Sequence, residues 1–161
     1  MDSLFSLSFV VDGSPSTVNV RDRDLLVFVL RDQLRRTSVH IGCESGRCGA
    51  CTVMLNGTPT KSCMVLARQV EGMTISTLEE TAQAPTGEIV AAAFKRAHAL
   101  QCGFCTPGMV TAVVGLLNRD TDVSEDDVRQ ALRGNLCRCT GYQHIVDAVL
   151  DAAATLREAR T

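Results

Sequence analysis

Eight cysteines, in two groups of four, are the residues here whose type and spacing could do chemistry. The first group, Cys43, Cys48, Cys51 and Cys63, reads C-x4-C-x2-C-x11-C. Its opening stretch, CESGRCGAC, has the plant-type spacing for a [2Fe–2S] cluster. Bridging sulfides and thiolates need backbone N–H donors. Gly42, Gly46 and Gly49 let a loop wrap with its N–H groups turned inward. Cys63 would supply the fourth thiolate from the end of the strand that follows the Asn56-Gly57 turn. Structural zinc also takes four thiolates, but more often as paired short knuckles. A disulfide framework fits poorly with a chain that lacks a secretory signal and has a core needing no staples.

The second group, Cys102, Cys105, Cys137 and Cys139, reads C-x2-C-x31-C-x-C within QCGFCTPG and GNLCRCTG. C-x2-C is shared by zinc ribbons and thioredoxin-like sites. Here both pairs sit in glycine-containing turns just before helices. Helix N-termini favour anionic thiolates and the net-negative cluster they hold. Spacing supports a second iron–sulfur cluster and leaves zinc as the alternative. His40, His98 and His144 could be ligands, but eight cysteines complete two sites, so they read as ordinary, partly exposed histidines. Arg47 and Arg138 lie beside candidate ligands and either tune the potential, contact partners or are simply solvated. No acid–base or nucleophile–base arrangement is visible, so the chain is expected to make no bonds itself.

These cysteines must be positioned by two halves of different texture. Residues 4–10 alternate apolar and polar, as a half-buried strand does. Asp12-Gly13 then reads as a hairpin turn, and residues 16–20 alternate again. Residues 25–34 are ambiguous by periodicity, with Asp24 a candidate helix cap. Residues 52–55, Asn56-Gly57 and 58–62 read as strand, turn and strand, and 73–77 as one more strand. After Glu80 a small, polar stretch interrupted by Pro85 looks like a linker. Four helical segments follow. The first covers 88–98. The second opens at Thr106-Pro107, with Thr106 as N-cap. The third starts at a Ser124–Asp127 capping box. The last carries Tyr142, Ile145, Val146, Val149, Leu150 and Ala153 on one face. The domains expected are 1–80 and 87–161, joined by a linker at 81–86.

Composition sets the outer bounds. With 161 residues, 45% of them hydrophobic, one or two small cores are affordable. A net charge of −2 gives no basic stripe for nucleic acid. No apolar run reaches the 18 residues of a membrane span. The N-terminus has acids at Asp2 and Asp12 and no basic n-region, so a cytoplasmic location is the default.

In order, GCESGRCGACTV, KSC, QCGFCTPGM and GNLCRCTGY resemble the small iron–sulfur subunit of the xanthine oxidase family of molybdenum hydroxylases. The similarity runs from the first strand to the last helix and departs from the pattern at no cysteine. It implies an α+β chain: an N-terminal β-grasp plant-type ferredoxin domain, then a C-terminal four-helix [2Fe–2S]-binding domain. Cys43, Cys48, Cys51 and Cys63 would hold one cluster, and Cys102, Cys105, Cys137 and Cys139 the other. Gln101 and Cys139 would face the molybdopterin, in its cytosine dinucleotide form, of a large partner subunit. The ferredoxin-domain cluster would lie nearer FAD in a medium partner subunit. Electrons would run from molybdenum through both clusters to FAD. The resemblance implies separate partner chains in a dimer of heterotrimers, cytoplasmic or peripheral at the inner membrane face. VHIGC and TGYQHIV lean toward the small subunits of aerobic carbon monoxide dehydrogenases. The rival readings are a free-standing two-cluster ferredoxin and a structural zinc protein. A pI near 5.9 with nearly balanced charge gives the former no strongly acidic docking surface.

Overall fold

The computed structural model describes residues 4–159. Residues 1–3, with Asp2 of the N-terminal reading, and 160–161 lie outside the described residues. β1 (Phe5–Val11) and β2 (Ser14–Val20) pair antiparallel, from Phe5↔Val20 to Val11↔Ser14. The turn between them has positive φ at both Asp12 (49°) and Gly13 (71°), the requirement of a type I′ hairpin. β3 (Thr52–Leu55) and β4 (Thr58–Lys61) repeat the device, with φ of 47° at Asn56 and 78° at Gly57. β5 (Thr74–Ser76) joins the two hairpins, parallel to β1 and antiparallel to β3. The sheet order is β2-β1-β5-β3-β4.

Within 25–34, residues 26–33 are helical. α1 (Leu26–Phe28) runs directly into a π turn at Val29–Gln33. Leu26, Val27, Val29 and Leu30 are all buried in the same core as Leu7, Phe9, Val11 and Ile75 of the sheet. An unbroken apolar run has no period to read, so tertiary packing decided its state. Asp24 is not its cap. Leu25 holds that position without a side-chain bond, and the Asp24 carboxylate instead accepts the Arg21 N–H at 2.8 Å.

The C-terminal helices are α2 (Leu78–Thr81), α3 (Pro85–Arg96), α4 (Thr106–Leu117), α5 (Glu125–Ala131) and α6 (Gln143–Glu158). Helix α3 starts three residues earlier than the apolar pattern suggests, because Pro85 is its first residue rather than a break. Proline's fixed φ suits that position, where no N–H is needed. Cys105, not Thr106, is the N-cap of α4. The Ser124–Asp127 capping box forms, with the Ser124 hydroxyl accepting the Asp127 N–H at 3.2 Å and Asp127 accepting the Ser124 N–H at 2.9 Å. Tyr142 precedes α6 as its cap, with φ of 72°. The helices enclose a second core around Phe94, Met109, Val113, Leu117, Val128, Ile145 and Val149, and Met54 of β3 reaches into it. Among the described residues no helix is long and apolar enough to cross a membrane.

Candidate metal centres

The β3–β4 register begins the first centre. Because Thr52 faces Lys61, the next residues outward, Cys51 and Ser62, are neighbours. The Ser62 hydroxyl donates to the Cys51 carbonyl at 2.8 Å. The strand ends at Lys61, one residue short of the expected end, and a 3-10 turn at Ser62–Met64 then delivers Cys63 beside Cys51. The 43–51 loop wraps through positive φ at Glu44, Gly46 and Gly49. Its N–H groups turn inward as the glycines require: those of Ser45 and Cys48 reach the Cys43 sulfur at 3.4 and 3.3 Å. The Ser45 hydroxyl, helped by these N–H groups, holds the Cys43 thiol down at about 6. Burial, and then Cys43 itself, pushes Cys48 up. Burial, and then Cys51, pushes Cys63 up to about 11.

In the second centre the Cys102 and Cys139 sulfurs lie 3.6 Å apart at the exposed surface. Cys105 and Cys137 form the inner pair, and burial followed by Cys137 pushes Cys105 up to about 12. Burial works against the Cys137 thiolate, but donors outweigh it and leave its pKa lowered. The chief donors are the Thr140 hydroxyl at 3.2 Å and the Thr140 N–H at 3.4 Å. The Tyr142 hydroxyl accepts the Cys137 N–H at 3.0 Å and fixes that turn.

The sulfurs therefore gather in two sets: Cys48 beside Cys43 and Cys63 beside Cys51 with Cys43 near it, then Cys139 beside Cys102 and Cys105 beside Cys137 with Cys102 near it. Two thiolates for each of two irons is the demand of a [2Fe–2S] cluster, whereas one zinc draws four to a point. Among the described residues no three His, Cys, Asp or Glu side chains converge on a single ion position. The upward shifts at Cys48, Cys63 and Cys105 come first from burial and then from the neighbouring thiols, and a bound cation offsets both. The residues present fit the clusters.

The two centres touch through backbone. The Leu136 N–H, one residue before Cys137, donates to the Cys48 carbonyl at 2.8 Å. The buried Asn135 amide donates to the Gly49 carbonyl at 3.2 Å. A Cβ on Gly108 in α4 would lie 2.1 Å from that same Gly49 oxygen.

Gln101 is exposed beside the Cys102/Cys139 pair and makes no hydrogen bond among the described residues. His98, His144, Arg47 and Arg138 are exposed. His40 is partly exposed, and its ring stacks on Phe104. Thr140, Tyr142, Asn135 and Leu136 went unread as functional. Their only signal is a place next to cysteines, because a hydroxyl or main-chain donor looks like any other in sequence.

Two family profiles match the chain. The 2Fe-2S iron-sulfur cluster binding domain covers residues 9–86, and the [2Fe-2S] binding domain covers residues 74–150. The gamma subunit of caffeine dehydrogenase from Pseudomonas sp. (strain CBB1) is 42% identical over 96% of this chain and 95% of its own. The iron-sulfur-binding subunit of xanthine dehydrogenase from Escherichia coli O157:H7 is also 42% identical, over 90% of this chain and 86% of its own. Among solved structures, quinoline 2-oxidoreductase from Pseudomonas putida 86 contains a chain that superposes with a TM-score of 0.89. That chain is 40% identical, with 98% of this chain and 99% of that one covered.

Proposed function

The chain belongs to the small [2Fe–2S] electron-transfer subunits of the xanthine oxidase family of molybdenum hydroxylases, and we propose that it relays electrons from a molybdopterin site in a large subunit to FAD in a medium subunit. When bound, each cluster supplies one-electron transfer. We assign Cys43, Cys48, Cys51 and Cys63 to one cluster and Cys102, Cys105, Cys137 and Cys139 to the other. The observation that carries this is the arrangement of eight sulfurs as two sets of four, tied together by the Leu136 to Cys48 hydrogen bond.

The direction is the one the family resemblance implies, and exposure supports it. Cys139 and Gln101 both stand at the surface of the helical domain, where this reading puts the face toward the molybdopterin, taken to be its cytosine dinucleotide form. Apolar side chains exposed near this face, Leu100 (39%) and Leu136 (56%), suit a protein interface rather than water. Met64, 61% exposed, lies against Gly46 of the 43–51 loop, and this reading assigns it to the surface toward FAD. The chain's own residues hold, orient and partly shield the clusters. The assembly is a cytoplasmic dimer of heterotrimers in this reading.

For the substrate of the complex, the names caffeine, xanthine and quinoline favour a nitrogen heterocycle. The carbon monoxide reading rests on VHIGC and TGYQHIV alone. Purified full chain should hold four irons and four acid-labile sulfides, with visible absorption and two electron paramagnetic resonance signals on reduction. Stoichiometric zinc without colour would overturn the assignment. Two clusters in a chain that copurifies with no flavin or molybdenum subunit would leave a free-standing ferredoxin.

A further inference from the structure

Away from the cysteines, the charges of the molecule are unevenly partnered. Ion pairs join Arg36 to Asp12, Arg68 to Asp22, Arg96 to Asp151 and Arg129 to Glu125. Among the described residues none includes Lys61, Arg119 or Arg133, yet these three cations line one cavity of about 270 Å³. No acid lines it. The cavity lies at the seam of the two halves. Thr52, Thr58 and Lys61 come from β3 and β4, Arg119 from just beyond α4, and Arg133 and Asn135 from the turn after α5.

The lining is partly fixed in advance. Thr52 and Asn135 are buried, and their hydroxyl and amide both donate to the Gly49 carbonyl, at 2.7 and 3.2 Å. A Cβ on Gly134 would collide with Lys61 Nζ, so the ammonium of the sheet half already lies on a turn of the helical half. Arg119 is the least committed of the three. Its Nε donates to the Gly115 carbonyl at 3.1 Å, and it also borders a groove that holds Asp126 and Asp127.

Three like charges around one concave space repel one another, and these walls hold no carboxylate to offset them. A concave surface of a single sign concentrates counter-ions. Guanidinium forks and an ammonium suit an oxyanion, which they hold by charge-assisted hydrogen bonds. Three positive charges match a dianion better than one carboxylate, and a phosphate monoester carries about −1.5 to −2 near neutral pH.

We propose that this cavity is a phosphate site that bridges the two halves, with Lys61 on one side and Arg133 and Arg119 on the other. Its ligand is inorganic phosphate or the phosphoryl group of a small phosphate monoester.

The test is isothermal titration calorimetry of the purified full chain at fixed ionic strength in chloride, with inorganic phosphate, glycerol phosphate and acetate as titrants. At least one of the two phosphates should saturate one site per chain, and acetate should bind at least about tenfold more weakly. K61Q and R133Q should each raise the phosphate Kd about tenfold or more, since each removes a charged donor. R133K, which keeps the charge, should lose less than R133Q. R96Q, which removes an arginine that does not line the cavity, should match wild type. Tighter binding of the free ion assigns the site to inorganic phosphate, tighter binding of glycerol phosphate assigns it to a monoester, and either supports the site. Because the ligand joins both halves, phosphate should also raise the Tm of wild type and R96Q above that in chloride, and raise that of K61Q much less. Saturation by neither phosphate, acetate binding as tightly, an equal loss in R96Q, or equal Tm rises in all three chains, the mark of a bulk salt effect, would overturn the proposal. If K61Q does not fold, the comparison of R133Q with R133K decides, and equal affinity in those two overturns the site.

Discussion

Gly108→Ala tests whether the two halves are joined as closely as the structure requires. Gly108 lies in the first turn of α4, and its φ is not in the left-handed region, so alanine brings no backbone strain of its own. By helix propensity alone it should stabilise, by less than about 1 kcal/mol. The new Cβ, however, would stand 2.1 Å from the Gly49 carbonyl oxygen and 3.0 Å from the Gly49 carbonyl carbon, where ordinary contact begins near 3.4 Å. Either α4 or the 43–51 loop must move by more than about 1 Å. Neither can yield by a side-chain rotation, because both atoms belong to backbone. Overpacking of this kind costs about 1–3 kcal/mol.

The Gly49 oxygen also accepts from Asn135 and from the Thr52 hydroxyl, at 3.2 and 2.7 Å. Losing one such bond adds about 0.5–1.5 kcal/mol. The net is a destabilisation of about 1–3 kcal/mol. For a chain of 161 residues that is a Tm lower by about 3–10 °C in circular-dichroism melts at one scan rate. A Tm at or above wild type would mean that helix propensity wins, and that the close approach of Gly108 to Gly49 is not a constraint on this fold.

Two other outcomes are expected. In metal-free chain Cys43 should be alkylated first, with half-maximal labelling near pH 6, since its thiolate is lost only as pH falls through about 6; if iodoacetamide labelling mapped by mass spectrometry shows Cys43 rising in step with Cys48 at higher pH, the donors around its sulfur are misplaced. In the assembled complex Gln101→Ala should leave both clusters intact and slow their reduction by substrate about two- to tenfold, sparing reduction from the flavin side; equal slowing from both sides in stopped-flow measurements would remove Gln101 from the molybdenum face.

The parts of the fold legible in the sequence are those carried by local chemistry. Asp12-Gly13 and Asn56-Gly57 announce hairpins because few other residue pairs accept two positive φ angles in a row. Ser124 and Asp127 announce a helix start because their side chains satisfy each other's backbone. The cysteines announce their chemistry by spacing, since a loop that must bring sulfurs together can be only so long. The failures were equally local in cause. Pro85 serves a break and a helix start equally well, and only the packing of α3 decides between them. Asp24 had two possible uses and closed the Arg21 turn instead of capping α1.

The junction between the centres was not legible for a different reason. Its contacts join residues far apart in the chain, 86 positions in the case of Asn135 and Gly49. They use groups that every residue carries. Leu136 shows the consequence. Its side chain is 56% exposed and its N–H alone holds the Cys48 carbonyl. Every residue except proline offers that donor, so the identity at position 136 encodes almost nothing about the bond that spaces the two centres. Glycine at 49 and 108 carries the complementary information, and only as the absence of a side chain. A relay needs a fixed spacing more than a particular side chain. Backbone held against backbone supplies that spacing, which leaves the exposed side chains around the ligand turns free to fit whichever partners the chain meets.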